Sequence, residues 1–202
     1  MIRLSARKTL VLAAALSTVA MGAGAAGADG GRAGSAPYFA PYVDMAAYPP
    51  PNLVAIGQSS EARTISLGFV TADQGKDASG KARCKPTWGG YSDYPARGRK
   101  PYRSANVRGF TADGGRIVLS FGGAAGTELA GACKSVKALA AAYRSAIKAY
   151  KAKRVDFDIE GAVIGDRAAS KRRALALRKL RRMDLKRRHG WSIVSGRAFR
   201  HG

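Results

Sequence analysis

The clearest pattern along the chain is an alternation. From Arg154 to Gly161 the residues run R-V-D-F-D-I-E-G, so Val155, Phe157 and Ile159 alternate with Asp156, Asp158 and Glu160. In an extended strand alternate side chains share a face, which predicts three carboxyl groups on one side and three large apolar groups on the other. Burying acids side by side is costly unless they hydrogen-bond one another or do chemistry. A strand that ends in such a row is a candidate glycosidase or proton-transfer site. A metal site and a merely solvated acidic strand end are the alternatives.

Other segments carry simpler patterns. Tyr38–Asp44 reads as a short first strand, with Pro41 marking a strand end or bulge. Pro49-Pro-Pro51 breaks the chain, and Asn52–Gln58 reads as a short helix. Thr64–Val70 and Arg116–Phe121 are apolar, β-branched runs that predict a second and a third strand. Between them lies a long loop, Thr71 to about Arg103, and then a short helix to Ala112 with Ser104 as its cap. Ser135 caps a helix in which Val136, Leu139, Ala140, Tyr143, Ile147 and Tyr150 fall at helical spacing. The acid-bearing strand follows, and then a helix from Asp166 to about Arg182. Strand and helix alternate, which predicts an α/β fold with a parallel sheet and helices packed outside it. Parallel strands are normally apolar on both faces. The strand at 154–160 breaks that rule, and in a βα barrel functional groups sit at the C-terminal ends of strands.

The first 28 residues look like a secretory signal. Arg3, Arg7 and Lys8 precede an uncharged run, Leu10 to Met21, and Ala26-Gly27-Ala28 fits a cleavage site before Asp29. The run is too short to span a membrane, and no other segment is apolar enough. The mature protein is therefore expected to be secreted, extracellular and free of any membrane span. Residues 29–36 form a Gly/Ala-rich linker. In an exported protein Cys84 and Cys133 are candidates for a disulfide. No His or second Cys pair near them supports a metal site, and no cofactor is expected.

Net charge is +22 over 202 residues, which by itself would point to nucleic acid or an anionic surface. About half of it lies from Lys171 onward, where only Asp184 opposes a run of arginines and lysines. The charge is a local feature of that region, and with the export signal it makes nucleic acid an unexpected partner. From about Arg181 the text becomes Arg-rich, without apolar periodicity or strand signal, and its His189 and His201 are assigned no role. It reads as out-of-frame sequence after a frameshift or premature stop, or as a basic tail for anionic polymers.

Two motifs resemble glycoside hydrolase family 18, the chitinase family. Ser120-Phe-Gly-Gly123 matches the family's S-x-G-G at the end of the third strand. Lys153 to Glu160 matches D-x-x-D-x-D-x-E at its last three acids, with Lys153 in place of the first Asp. Tyr38–Asp44, Cys84–Gly90 and Ser120–Ala130 also look like exported, actinobacterial-type members, and the resemblance covers roughly Tyr38 to Leu180. It implies a (β/α)8 TIM barrel, of which residues 37–180 would be the N-terminal half, ending after about the fourth βα unit.

The resemblance also implies a chemistry: retaining hydrolysis of β-1,4-linked N-acetylglucosamine polymers in which the substrate supplies its own nucleophile. Glu160 would protonate the glycosidic oxygen. The N-acetyl carbonyl oxygen would attack the anomeric carbon. Asp158 would orient the acetamido N–H and stabilise the resulting oxazolinium, and Asp156 would share a proton with Asp158. Ser120 would hydrogen-bond the inner aspartate, while Gly122 and Gly123 leave room for close approach. Tyr42 and Trp88 are candidates for stacking on sugar, against a plainer reading as core or loop packing. The expected partner is chitin or its oligosaccharides, and the parent enzyme is expected to be a monomer.

The family places a catalytic Tyr and a floor Trp on later strands. Half a barrel would also expose strand edges at its first and fourth strands. The chain as written is therefore expected to fold poorly and to have little or no activity. The alternative is a non-catalytic, secreted chitin- or glycan-binding protein.

Overall fold

In chain order the strands are β1 (Tyr42–Asp44), β2 (Thr64–Lys76), β3 (Ala82–Trp88), β4 (Arg116–Gly122), β5 (Arg154–Asp158) and β6 (Ser192–Ile193). The helices are α1 (Leu53–Ser59), α2 (Ser104–Ala112), α3 (Leu129–Ala132), α4 (Val136–Tyr150) and α5 (Arg167–Leu185), with a 3-10 turn at Gly161–Gly165. The computed structural model describes residues 39–185 and 192–193. The signal at 1–28, the linker at 29–36, Tyr38, His189 and His201 lie outside the described residues.

Strands β1, β2, β4, β5 and β6 lie side by side in that order, and each neighbouring pair is parallel. This is the βα succession predicted from the sequence. β2 and β4 are buried nearly throughout, as a parallel sheet covered on both faces requires. Their Ile65, Leu67, Val70, Ile117, Leu119 and Phe121 join Val155 of β5 in one core with Leu53, Phe110, Leu139, Tyr143 and Leu180 from the helices. Ser135 caps α4 as expected, its hydroxyl accepting from Ala138 N at 3.1 Å. Asp166 caps α5 in the same way, accepting from Ala169 N at 2.8 Å.

Four expectations change. The loop expected over 71–103 is in large part a hairpin: β2 runs on to Lys76, and β3 folds back antiparallel along it, with Val70 opposite Trp88. Its pairing rests on backbone bonds, an Asp73–Arg83 ion pair at 3.3 Å and a tight turn in which Asp77 accepts from Ser79 N and Lys81 N. Its polar sequence gave no apolar period to read. Ser104 is the first helical residue of α2 rather than its cap; Arg103 holds that position with φ 52°, and the Ser104 hydroxyl accepts from Arg108 instead. α3 is a further short helix that no pattern predicted, capped by the Glu128 carboxylate accepting from Ala130 N. Finally, a strand lies where no strand signal was seen: Ser192 and Ile193 pair with Arg154 and Val155, so the edge expected at β5 is partly covered. β1 remains an edge among the described residues.

Cys84 on β3 and Cys133 after α3 form the candidate disulfide, with Cα atoms 4.7 Å apart. The Tyr48–Pro49 and Gly68–Phe69 peptides are cis. Among the described residues no helix is long and apolar enough to cross a membrane.

Candidate active site at the strand ends

The register of β4 against β5 sets the site. Ser120 lies beside Asp156, and Gly122 beside Asp158. The apolar residues of β5 turn the other way: the Phe157 ring stacks on Phe121 at 5.4 Å and meets Tyr143 of α4 edge-on at 5.3 Å. Alternation thus works as the sequence predicted, with rings toward the helices and carboxyl groups toward the opposite face. The strand ends at Asp158, but Glu160 keeps an extended backbone (φ −127°, ψ 165°) before the 3-10 turn begins, so the third acid stays in phase with the other two.

Asp156 is buried and receives two hydroxyls on one oxygen. Its Oδ2 accepts from Ser120 Oγ at 2.8 Å and from Tyr42 Oη at 2.7 Å. Charge-assisted bonds of this kind are short and strong. Tyr42 comes from β1 at the other side of the sheet, so one carboxylate ties together β1, β4 and β5. Burial, followed by the hydrogen bond to Asp156, pushes the Tyr42 hydroxyl well above the usual tyrosine range, which keeps it a donor.

Asp158 is half-buried and surrounded by other acids. Burial raises its carboxyl from 3.8 to about 6, helped by a hydrogen bond that its protonated form donates to Glu160 and by the charges of Glu160 and Asp156. The direct hydrogen bond therefore runs between Asp158 and Glu160, while Asp156 acts on Asp158 through charge. A carboxyl raised this far stays partly protonated closer to neutral pH than a lone exposed aspartate does.

The two glycines of the first motif admit the backbone. Gly122 has φ +112°, and a Cβ there would lie 2.0 Å from the Asp158 carbonyl oxygen. Gly123 donates its N–H to that same oxygen at 2.8 Å. Any side chain at Gly122 would drive β5 away and take Asp158 with it. A Cβ at Gly123, where φ is +90°, would press on the Phe69 ring at 2.8 Å.

Two aromatic assignments separate. Tyr42 is half-exposed, stacks on Phe69 at 5.2 Å and touches Asp156, so it lies at the site. Trp88 is wholly buried; its indole N–H donates to Tyr150 Oη at 2.7 Å, and the rings meet edge-on. It is a core residue, in keeping with the plainer of its two readings. Phe69 was missed. It is partly exposed at the site between Tyr42 and Gly123, and the signal for it was its place near the end of the predicted strand at 64–70.

The described pockets lie elsewhere. One of about 460 Å³ opens at the N-terminal ends of β4 and β5, where Arg116, Lys153 and Arg154 line it; the acids lie at the opposite ends of those strands. Among the described residues no group of three or more His, Cys, Asp or Glu side chains is placed to hold a metal ion.

No family model matches the sequence. Similar proteins were found by direct comparison. The chain is 35% identical over 143 residues to a probable bifunctional chitinase/lysozyme of Escherichia coli (strain K12), a match that spans 70% of this chain and 15% of that protein. It is 30% identical over 142 residues to endochitinase 11 of Metarhizium anisopliae, spanning 25% of that protein. Among solved structures it is similar to the catalytic domain of a hyperthermophilic chitinase from Pyrococcus furiosus, with a TM-score of 0.62 and 26% identity over 78% of this chain and 45% of the other. Catalytic-site mutants of active domain 2 of the thermostable Pyrococcus furiosus chitinase, complexed with chito-oligosaccharides, match with the same TM-score and 25% identity. The chain spans a quarter or less of the curated relatives and under half of these solved chains.

Proposed function

The chain belongs to the glycoside hydrolase family 18 chitinases, and from that premise we propose that Asp156, Asp158 and Glu160 hydrolyse β-1,4-linked N-acetylglucosamine polymers with help from the substrate. The observation that carries this reading is the graded row of acids. Asp156 is fixed by two hydroxyls, Asp158 has its carboxyl raised to about 6, and Glu160 is hydrogen-bonded to Asp158 at the outer end.

In the first step Glu160 gives its proton to the glycosidic oxygen as the bond to the anomeric carbon breaks. The acetamido carbonyl oxygen of the same sugar forms a new bond to that carbon, and the positive charge spreads over an oxazolinium ring. Asp158 accepts the acetamido N–H and offsets that charge, while Asp156 acts on Asp158 through its charge. In the second step water attacks the anomeric carbon, Glu160 takes up its proton, and the ring opens with net retention.

The described sheet is open, with five parallel strands side by side and β1 at an edge. An open site lets water compete with the developing charge and weakens each electrostatic contact. The 202-residue chain alone is therefore expected to turn over a fluorogenic chitobiose slowly or not at all. Whatever turnover it has should vanish in Glu160→Gln and should release product of retained configuration. Equal turnover in Glu160→Gln, or an inverted product, would overturn the assignment. Retention on chitin beads with no hydrolysis, unchanged in Glu160→Gln, would instead favour a binding module. The leader at 1–28 is read as an export signal; N-terminal sequencing of protein recovered from culture medium should then begin at Asp29.

A further inference from the structure

On the outer side of the sheet, α4 and α5 pack against each other, and the cleft between them is lined by cations. Lys137, Arg144 and Lys148 from α4 meet Lys179 from α5 around a pocket of about 590 Å³. A second pocket of about 430 Å³ adjoins it, sharing Lys179 and Met183 and adding Arg178 and Arg182. Among the described residues no carboxylate lines either pocket. The surrounding sequence reinforces this: α4 contains no Asp or Glu, and α5 contains only Asp184. Like charges at this density repel, and a monomer gains nothing from holding them together. One of them is also incompletely satisfied. Arg144 Nε is buried with no hydrogen-bond partner among the described residues, a donor whose desolvation an oxyanion would offset.

From this arrangement we propose that the α4–α5 cleft is a binding site for an acidic polysaccharide, a thin chain bearing sulfate or carboxylate groups, separate from the acids on β5. The shape and the lining choose this partner over the other polyanions. The pockets are grooves at the seam of two packed helices, and at about 590 and 430 Å³ they suit a short stretch of one thin chain. Single-stranded nucleic acid is normally held by stacking its bases on aromatic rings, and among the described residues no aromatic side chain lines either pocket. What remains is recognition by charge spacing. Lys137 and Lys148 are three turns apart on α4, roughly 16 Å along the helix, so several anionic groups of one chain can be engaged at once. The cleft would anchor the protein on acidic glycan while the acids face a neutral substrate on the other side of the sheet.

The test is the binding of a fluorescent heparin oligosaccharide to the full chain at several salt concentrations, followed by anisotropy. Binding should weaken steeply with salt, by about 0.7 in log K per log unit of salt for each cation engaged. Lys137→Gln/Lys148→Gln/Lys179→Gln alters three exposed residues and should weaken binding roughly tenfold or more and flatten the salt dependence by about 2. A control, Lys76→Gln/Lys81→Gln/Lys85→Gln, removes the same charge from the exposed hairpin and should change affinity less than about twofold. The single variants Lys148→Gln and Lys179→Gln serve if the triple fails to fold, each with a smaller loss in the same direction. Equal losses in the two triples, no binding at low salt, or tighter binding of an oligothymidylate than of the heparin oligosaccharide would each overturn the proposal.

Discussion

Two buried carboxylates in this chain have met opposite fates. Glu128 and Asp156 are each 5% exposed. Glu128, at the head of α3, faces the Arg173 guanidinium at 3.2 Å, the Tyr143 hydroxyl at 3.0 Å and the Ala130 N–H at 2.8 Å. Its charge is matched by a cation, and the cluster joins α3, α4 and α5. Asp156 is given hydroxyls instead, and the groups that bear on its neighbour Asp158 are burial and other acids. In a chain with 35 lysines and arginines, leaving an acid row to face hydroxyls and one another is a feature that folding alone does not require. Burial does not distinguish these two acids; the chemistry of their partners does.

The largest effect should come from exchanging one acid of each kind for its amide. Glu160→Gln removes the proposed proton donor and should lower whatever kcat/KM the chain has by about 10²–10⁴-fold, while the thermal midpoint stays within a few degrees because the amide keeps the side chain's size at a partly exposed position. Glu128→Gln should do the reverse. It leaves Arg173, whose side chain is only 12% exposed, as a buried charge without its counter-charge, at a cost of about 3 kcal/mol. For a domain of this size that lowers the midpoint by roughly 10 °C. Differential scanning calorimetry with an activity assay on the same preparations reads both. The comparison fails if Glu160→Gln is the less stable protein or if Glu128→Gln melts like the unsubstituted chain.

A smaller effect should come from the hydroxyls that fix Asp156. Ser120 is wholly buried, so Ser120→Ala leaves Asp156 with one donor fewer and nothing to replace it, a loss of about 2 kcal/mol for a bond to a charged group. Tyr42 is half-exposed, and Tyr42→Phe keeps the stack on Phe69 while water can reach the carboxylate. That change should cost about 1 kcal/mol. Urea denaturation orders the two. A larger loss from Tyr42→Phe would mean that Asp156 is held chiefly from β1 rather than from its neighbour strand.

How much of this could be read in the sequence depends on where the information lies. The acid row was legible because alternation along an extended segment is local, and Ser120 was legible because a parallel neighbour lies one βα unit away and its motif abuts a predicted strand. The helix at 136–150 was legible from its apolar period and its Ser cap. The β2–β3 hairpin was not, since Thr71–Lys76 and Ala82–Thr87 are largely polar and are held by Asp73, Arg83 and a disulfide rather than by an apolar face. Trp88 is buried, as its plainer reading had it, but no local pattern could decide the matter: it closes that hairpin, and its burial depends on Tyr150, distant in sequence. The Tyr42–Asp156 bond spans 114 positions, and no local rule reaches that far. Ser192–Ile193 pairs with β5 over only two residues, too few for any period to register.

The finest effect is a shift in one titration, and it tests how the row divides its charge. By carboxyl-selective NMR, Asp158 should titrate with an apparent midpoint of about 6, against an ordinary 3.8. The value is raised in the folded state, so the folded protein holds this proton more tightly than the unfolded chain. The associated stability is full below about 3.8, falls as pH rises, and is gone above about 6. Asp158→Asn does not titrate there, so its melting temperature relative to the unsubstituted chain should climb between those two values and level off beyond them. Glu160 acts on Asp158 through both a hydrogen bond and its charge, whereas Asp156 acts through charge alone and more weakly. Glu160→Gln should therefore lower the Asp158 midpoint more than Asp156→Asn does, and the second shift should be under about one unit. The opposite order would mean that Asp158 shares its proton inward with Asp156 rather than outward with Glu160, and the acid row would then have to be read from the buried end.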